Sequence, residues 1–236
     1  KKNIPKNCKF FKFNLLDKKK LKFFFEKFKI HDVIHLAAST SVTESEINPQ
    51  KYYKNNVIAT QNIIELNKKY LKRFVFSSTC AVYDVTSNHI VSEKSETFPS
   101  SVYGNTKLLS ELLIKKYSNE YNFKYANLRY FNVAGCDENE KFYYTKTGPL
   151  FNNIAKAIKN NSSIEIYGNN FETIDGTAVR DYIYLGDISK MHLKVLKIIS
   201  KKSHTMNLGY GLGVTVNQVV KSFEKIFKKK NKINNK

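Results

Sequence analysis

A chain of 236 residues, 42% of them apolar, can bury one large core or two smaller ones, and its apolar runs fall short of the roughly 18 residues a membrane-spanning helix needs. The formal charge of +20 comes almost wholly from lysines spread along the chain among asparagines, with no nucleic-acid-binding module, so solvated lysine faces account for it better than a nucleic-acid or anionic-membrane partner. Cys8, Cys80 and Cys136 are too few and too scattered for a disulfide framework or a metal site, and Lys1 to Phe13 lacks the apolar core of a secretory signal, which together predict a cytoplasmic protein.

Taken in order, Cys8 to Asn14 alternates apolar and basic side chains around Phe10, Phe11 and Phe13 and reads as a short strand. Leu21, Phe24, Phe25 and Phe28 recur at helical spacing through Lys18 to Lys29. Asp32 to Ala38 is a compact strand ending in small side chains, where open α/β sheets let a ligand approach the backbone. After Asn48-Pro49 a helical pattern runs from Tyr52 to Leu66 with amides on one side, and an inward Asn56 needs a partner. Arg73 to Ser78 is a strand that runs into hydroxyls. A polar loop to Pro99 leads to a helix through Tyr121, and Tyr125 to Phe131 is a further strand ending at Asn132. This alternation predicts a doubly wound, Rossmann-like α/β fold with a parallel sheet and crossovers on both faces.

The pattern then changes. A polar, Lys-rich stretch from Asp137 to Gly148 precedes a helix at Leu150 to Ile158, a strand at Ile164 to Tyr167 and a loop with Gly168 and Gly176. A helix at Asp187 to Ile199, capped by Asp187, a strand at Thr205 to Leu208 and a helix at Thr215 to Phe227 lead to a Lys/Asn tail expected to be disordered. Residues 1–145 are expected to form a dinucleotide-binding domain that lacks its first strand and glycine turn, because no strand, Gly-rich turn and helix precede Cys8. Residues 146–180 are expected to be part of a smaller α/β substrate lobe. The segment 181–236 is expected to return to the sheet and then to that lobe.

Tyr103 and Lys107 stand four apart where the helix after Ser101 begins, so both lie on one face about 6 Å apart along its axis. An ammonium beside a phenol favours the phenolate and pulls a pKa that starts at about 10 toward that of a general base. At this spacing a merely solvated helix face is the competing reading.

Six segments occur together and in order: His35-Leu-Ala-Ala38, Asn48-Pro with Tyr52-Tyr-Lys-Asn-Asn-Val57, Phe76-Ser-Ser-Thr-Cys-Ala-Val-Tyr83, Tyr103-Gly-Asn-Thr-Lys107, Leu128-Arg-Tyr-Phe-Asn132 and Asp175-Gly-Thr-Ala-Val-Arg-Asp-Tyr-Ile183. Over about residues 8 to 220 the chain thereby resembles the extended short-chain dehydrogenase/reductase superfamily, and within it the UDP-hexose 4-epimerase branch. The last segment belongs to sugar-nucleotide epimerases more than to the superfamily at large.

That resemblance implies an NAD-dependent isomerase that interconverts UDP-glucose and UDP-galactose at C4 through a transient 4-keto sugar. It implies Tyr103 as base, Lys107 as its activator and a ligand of the nicotinamide ribose, and Thr79 as a hydroxyl joining the sugar and the tyrosine. Asn14 and Leu15 are implied near the adenine. Leu36, Ala37, Ala38, Ser39 and Thr40 fall beside the pyrophosphate and ribose, with Asn56 close by and Phe131 near the nicotinamide. Asn132 and Arg180 are implied on the UDP diphosphate, which suits a forked guanidinium. Glu165, Ile166 and Tyr167 are implied to line the uracil pocket through backbone groups, and a homodimer is implied through the helices around Asn56 and Lys107.

Alternatives stand beside these roles. Arg180 could pair structurally with Asp181 or Asp187, Leu36 to Ala38 could be core, and His35 reads as a satisfied interior residue. Asn14 replaces the family's usual Asp, Asp84 stands where a Gly normally follows Val-Tyr, and Thr147 to Phe151 does not reproduce the usual substrate-contacting sequence. Without the glycine fingerprint and the C-terminal part of the lobe, the chain reads as truncated at both ends. The rival readings are a dehydratase or decarboxylase of the same superfamily, disfavoured because Cys80 and Ala81 stand where 4,6-dehydratases carry Asp-Glu, and a non-catalytic remnant.

Overall fold

The computed structural model describes residues 4–83, 90–136 and 149–236, so Asp84 and the stretch from Asp137 to Gly148 lie outside the described residues. The chain divides into two compact units, residues 1–128 with 195–205, and residues 129–194 with 206–236.

In the first unit, helix α1 (Lys18–Phe28) starts at Asp17, whose carboxylate accepts from the Lys20 N–H at 3.1 Å. Strand β1 (Asp32–His35) pairs in parallel with β2 (Arg73–Thr79), Asp32 opposite Arg73 and His35 opposite Phe76. Between them lie helix α2 (Val42–Ile47) and one long helix in three parts: α3 (Pro49–Tyr52), a π-helical segment (Tyr53–Ile58) and α4 (Ala59–Asn67). After β2 come a 3-10 turn (Cys80–Val82) and helix α5 (Val102–Tyr121), which leads into β3 (Lys124–Tyr130). With β7 (His204–Leu208) these strands make a four-stranded sheet in the order β1-β2-β3-β7, and the chain passes between the two units within β3, within the helix Leu185–Ile198 and within β7. Leu21 and Phe25 of α1, Ile63 and Ile64 of α4, Phe74 and Phe76 of β2 and Ile114 of α5 close over one another as the core. The parallel strands joined by helices are the α/β architecture expected.

The segment Cys8 to Asn14 is not a strand. Its alternating pattern serves ring packing: Phe11 meets Phe24 and Phe28 of α1 at centroid distances of 5.2 and 4.9 Å, and Phe13 meets Phe24 at 5.5 Å.

In the second unit β4 (Asn132–Ala134) runs parallel to β6 (Val179–Tyr184), which pairs antiparallel with β8 (Gly213–Thr215). Helix α6 (Pro149–Asn160), strand β5 (Ile164–Ile166) and helix α8 (Val216–Phe227) bury Ile154, Ile158, Ile164, Ile166, Val219 and Val220 against one another. Helix α7 (Leu185–Ile198) begins two residues before Asp187, which therefore sits in the first turn rather than capping it. The Lys/Asn tail is not disordered throughout: β9 (Ile233–Asn235) lies parallel to β5, because Asn231 ties to the carbonyls of Ala157 and Ser162 and Lys236 to Glu165.

Candidate active site

Helix α5 enters the first unit with its first three amides satisfied. The Val102 N–H donates to Glu46 Oε1 at 2.9 Å, that of Tyr103 to Ser45 Oγ at 3.1 Å and that of Gly104 to Ser101 Oγ at 3.0 Å. Two of these acceptors come from α2, which follows the loop at the carboxyl end of β1. Gly104 then allows a close approach, since a Cβ there would stand 2.3 Å from the Ala81 carbonyl oxygen. Helix α5 and the 3-10 turn after Thr79 are thereby in backbone contact.

Lys107 is 2% exposed, and its Nζ donates to the Ser77 carbonyl at 2.7 Å, 4.8 Å from the Phe76 ring centroid and 6.0 Å from that of half-buried Tyr103. The two stand one helical turn apart, as their spacing predicts, and Lys107 is not on a solvated face. Burial lowers its pKa to about 7, opposed by Glu111 one turn further on. The Glu111 carboxylate is buried and accepts from the Ser78 hydroxyl. Thr79 is buried at the end of β2, and its Oγ1 accepts from the Ala81 N–H at 3.2 Å, which leaves its own O–H hydrogen to donate.

Asn56 organises the opposite side. Its Oδ1 accepts from the Ser39 N–H at 2.8 Å, and its Nδ2 donates to the Ser39 carbonyl at 3.1 Å and to Thr106 Oγ1 at 3.0 Å. The Thr106 hydroxyl donates to the Tyr103 carbonyl at 2.8 Å. One buried amide thus joins the loop after β1 to the first turn of α5, which meets the need for a partner noted above. In that loop Leu36 is 59% exposed, Ala37 and Thr40 are exposed, and Ala38 and Ser39 are half-buried, so Leu36 to Ala38 is an accessible shelf and not core. His35 is buried, with Nε2 3.0 Å from Thr60 Oγ1, while the Thr60 hydroxyl donates to the Asn56 carbonyl at 2.6 Å. The imidazole therefore donates from Nε2, and burial and the Lys107 charge push its pKa down to about 3. Asn14 is exposed with Oδ1 taken by the Leu16 N–H at 2.9 Å, and the Leu15 carbonyl accepts from buried Asn62 at 3.1 Å.

The remaining expected residues lie in the second unit. Phe131 is half-buried and donates its N–H to the Leu208 carbonyl at 3.1 Å. Asn132 Nδ2 donates to the Asp181 carbonyl at 3.2 Å. Arg180 is exposed, its Nη1 on the Val179 carbonyl at 2.7 Å, and among the described residues no carboxylate lies within ion-pair distance of it. The alternative ion pair with Asp181 or Asp187 does not form. Asp181 accepts from the N–H groups of Tyr210 and Gly211 at 3.0 and 2.9 Å, and Asp187 from the Tyr210 hydroxyl. Strand β5 pairs with β9 through the backbone groups of Ile164 and Ile166, as in the bond from the Lys236 N–H to the Ile166 carbonyl at 2.9 Å. Because strand backbone groups alternate in direction, those of Glu165 and Tyr167 point to the other edge of this two-stranded sheet.

Sequence reasoning did not find Ser45, Glu46, Ser78, Gly104, Thr106 or Glu111. The Lys107-to-Glu111 spacing was a legible signal of an aligned charge. The caps from α2 had none, since they join residues more than fifty positions apart.

Residues 1–209 match the profile of the NAD dependent epimerase/dehydratase family. A UDP-glucose 4-epimerase of Mycoplasma genitalium is 35% identical over 223 residues, 91% of this chain and 66% of that protein, so the chain spans about two thirds of that relative's length. The crystal structure of UDP-glucose 4-epimerase from Brucella ovis in complex with NAD superposes with a TM-score of 0.87 at 32% identity, covering 96% of this chain and 72% of that one. That of the Bifidobacterium longum enzyme in complex with NAD+ and UDP gives 0.83 at 29% identity, over 96% and 70%. Six ordered motifs, a parallel α/β sheet and a family profile over most of the sequence agree: the chain belongs to the NAD-dependent epimerase/dehydratase family.

Proposed function

We propose that the protein is an NAD-dependent UDP-hexose 4-epimerase that interconverts UDP-glucose and UDP-galactose, with Tyr103 as its base. The observation that carries this reading is the pairing of Tyr103 with a buried, directed Lys107 beside the hydroxyl-bearing end of β2. The similar proteins from Mycoplasma genitalium, Brucella ovis and Bifidobacterium longum are UDP-glucose 4-epimerases, and the last two were solved with NAD. Cys80 and Ala81 form the 3-10 turn after Thr79 and bring no acid for dehydration at C5 and C6.

The residues present suit a dinucleotide. The exposed, small-residue shelf after β1 is held open by Asn56, and Lys107 sets an ammonium near the Tyr103 ring. Asn14, Leu15, Leu36 to Thr40, Asn56 and Phe131 would hold NAD, with Tyr103 and Lys107 at the nicotinamide ribose. The chemistry NAD supplies when bound is reversible acceptance of the C4 hydride of the hexose. Thr79 donates its free hydrogen toward the 4'-hydroxyl, and Tyr103 takes that hydroxyl's proton at its phenolate oxygen and returns it after the ketone has presented its other face. Lys107 stabilises the phenolate. Asn132 and Arg180 hold the diphosphate, and the edge of β5 at Glu165 and Tyr167, which pairs with no strand among the described residues, offers a carbonyl and an N–H to the uracil imide.

Residues 1–145 carry the dinucleotide-binding part and 146–180 a substrate lobe, to which the last residues of 181–236 return. A homodimer through the outer faces of the helices around Asn56 and Lys107 is supported by exposed Ile58, Leu109 and Leu112. A cytoplasmic location is supported by three free thiols. Among the described residues no helix is long and apolar enough to cross a membrane.

The test is conversion of UDP-galactose to UDP-glucose by the purified protein and by Tyr103→Phe. Loss of turnover by about 100-fold or more in a folded variant supports the reading. Equal turnover overturns it.

A further inference from the structure

Tyr103, Lys107 and Glu111 follow one another at single-turn intervals along one face of α5, a phenol, an amine and a carboxylate in line. The amine and the carboxylate are both buried, 2% and 4% exposed, and each is tied to the carboxyl end of β2, Lys107 to the Ser77 carbonyl and Glu111 to the Ser78 hydroxyl. An ammonium buried without a counter-charge sheds its proton, and a neutral amine cannot stabilise a phenolate. The groups facing Lys107 are His35 from β1, which is neutral, and Tyr103 and Glu111 on its own helix; Tyr125 from β3 faces Glu111 and is itself pushed up by burial and that carboxylate. Glu111 is the carboxylate among them.

We infer that Glu111, held by Ser78, is a positioning residue for the Tyr103–Lys107 pair: its charge favours the protonated form of the buried Lys107 side chain at the end of β2 and through it lowers the proton affinity of the Tyr103 phenol. The inference rests on the reading of Tyr103 as base. Two arrangements separate a charge role from a tether. Glu111→Gln keeps an acceptor for the Ser78 hydroxyl and loses the charge, whereas Ser78→Ala keeps the charge and loses the tether.

The experiment is a 13C NMR pH titration of the whole chain labelled at lysine Cε and tyrosine Cζ, with the Lys107 and Tyr103 signals identified by their loss in Lys107→Arg and Tyr103→Phe. In Glu111→Gln the Lys107 midpoint falls by about one unit and the Tyr103 midpoint rises, while in Ser78→Ala the Lys107 midpoint stays within about 0.3 of the unaltered protein. An unchanged Lys107 midpoint in folded Glu111→Gln overturns the inference, and so does a fall in Ser78→Ala as large as in Glu111→Gln. A Lys107 shift with a fixed Tyr103 midpoint overturns its second half. If Glu111→Gln does not fold, Glu111→Asp, which withdraws the carboxylate by one methylene, is held to the same outcomes. The titration needs no cofactor or substrate, so a protein without epimerase activity fails the assay of Tyr103 and still answers this question.

Discussion

The backbone N–H of Tyr103 ends on the hydroxyl of Ser45, 3.1 Å away and fifty-eight positions earlier in the chain. Ser45 is fully buried and donates in turn to the Val42 carbonyl at 2.6 Å, so the residue proposed as base is fixed at its main chain by a helix remote in sequence. Ser45→Ala leaves a helix-terminal donor unsatisfied and should cost about 1–2 kcal/mol of stability, read from urea unfolding, with faster amide exchange at Tyr103. Glu46→Ala, an exposed acceptor at the neighbouring amide, should cost about 0.5–1 kcal/mol.

Asn56 carries three hydrogen bonds to two separate segments. Asn56→Ala should destabilise the protein by about 2–3 kcal/mol and release the loop after β1, seen as increased deuterium uptake in peptides spanning residues 36–41. Asn56→Asp keeps the acceptor for the Ser39 N–H and loses both donated bonds, so its loop should exchange at an intermediate rate.

At Gly104 the constraint is space. A methyl group there meets the Ala81 carbonyl oxygen at 2.3 Å and Pro99 Cβ at 2.9 Å. Gly104→Ala therefore forces α5 away from the turn after Thr79, with a loss of about 1–3 kcal/mol in chemical denaturation and, on the proposed function, a fall in turnover that adding NAD does not restore.

Two buried bases give the stability a defined pH dependence. Lys107, with its pKa lowered to about 7, is neutral in the folded chain and charged in the unfolded chain between pH 7 and its ordinary value near 10.5. Its contribution to stability thus rises with pH through that window, by at most about 1.4 kcal/mol per unit. Lys107→Met should remove this rise, which urea unfolding at pH 6, 8 and 9.5 measures. His35, lowered to about 3, binds a proton only in the unfolded chain as pH falls from 6.5 toward 3, so its contribution is lost on the acid side. His35→Gln should flatten stability between pH 6.5 and 4 relative to the unaltered protein.

Much of the first unit was legible in the sequence. The helical spacing of Leu21, Phe25 and Phe28, the apolar run of Arg73 to Ser78 and the helix from Ser101 to Tyr121 all lie close to their observed bounds, because the helices bury one face and the strand, covered on both, is a continuous apolar run. Cys8 to Asn14 misled, since alternation also arises when every second ring packs on a neighbouring helix. The tail misled for the opposite reason: its polar composition hides that Asn231 and Asn234 bind backbone and side-chain groups near β5. At the site, Tyr103 and Lys107 could be read from one local spacing. The anchors that fix them could not, because Ser45, Glu46 and Ser78 act across distances in sequence that no local pattern encodes.

The π-helical segment from Tyr53 to Ile58 has a further consequence. Such a segment amounts to one additional residue threaded into an α-helix and taken up by a wider turn, so the helix before and after it keeps its facing. Tyr52 before it, Asn56 within it and Thr60, Ile63 and Ile64 after it are all buried. A residue added to or removed from the α-helical parts on either side would turn one end of the helix by about 100° against the other. Along this helix the chain is constrained in its count of residues as well as in their identity.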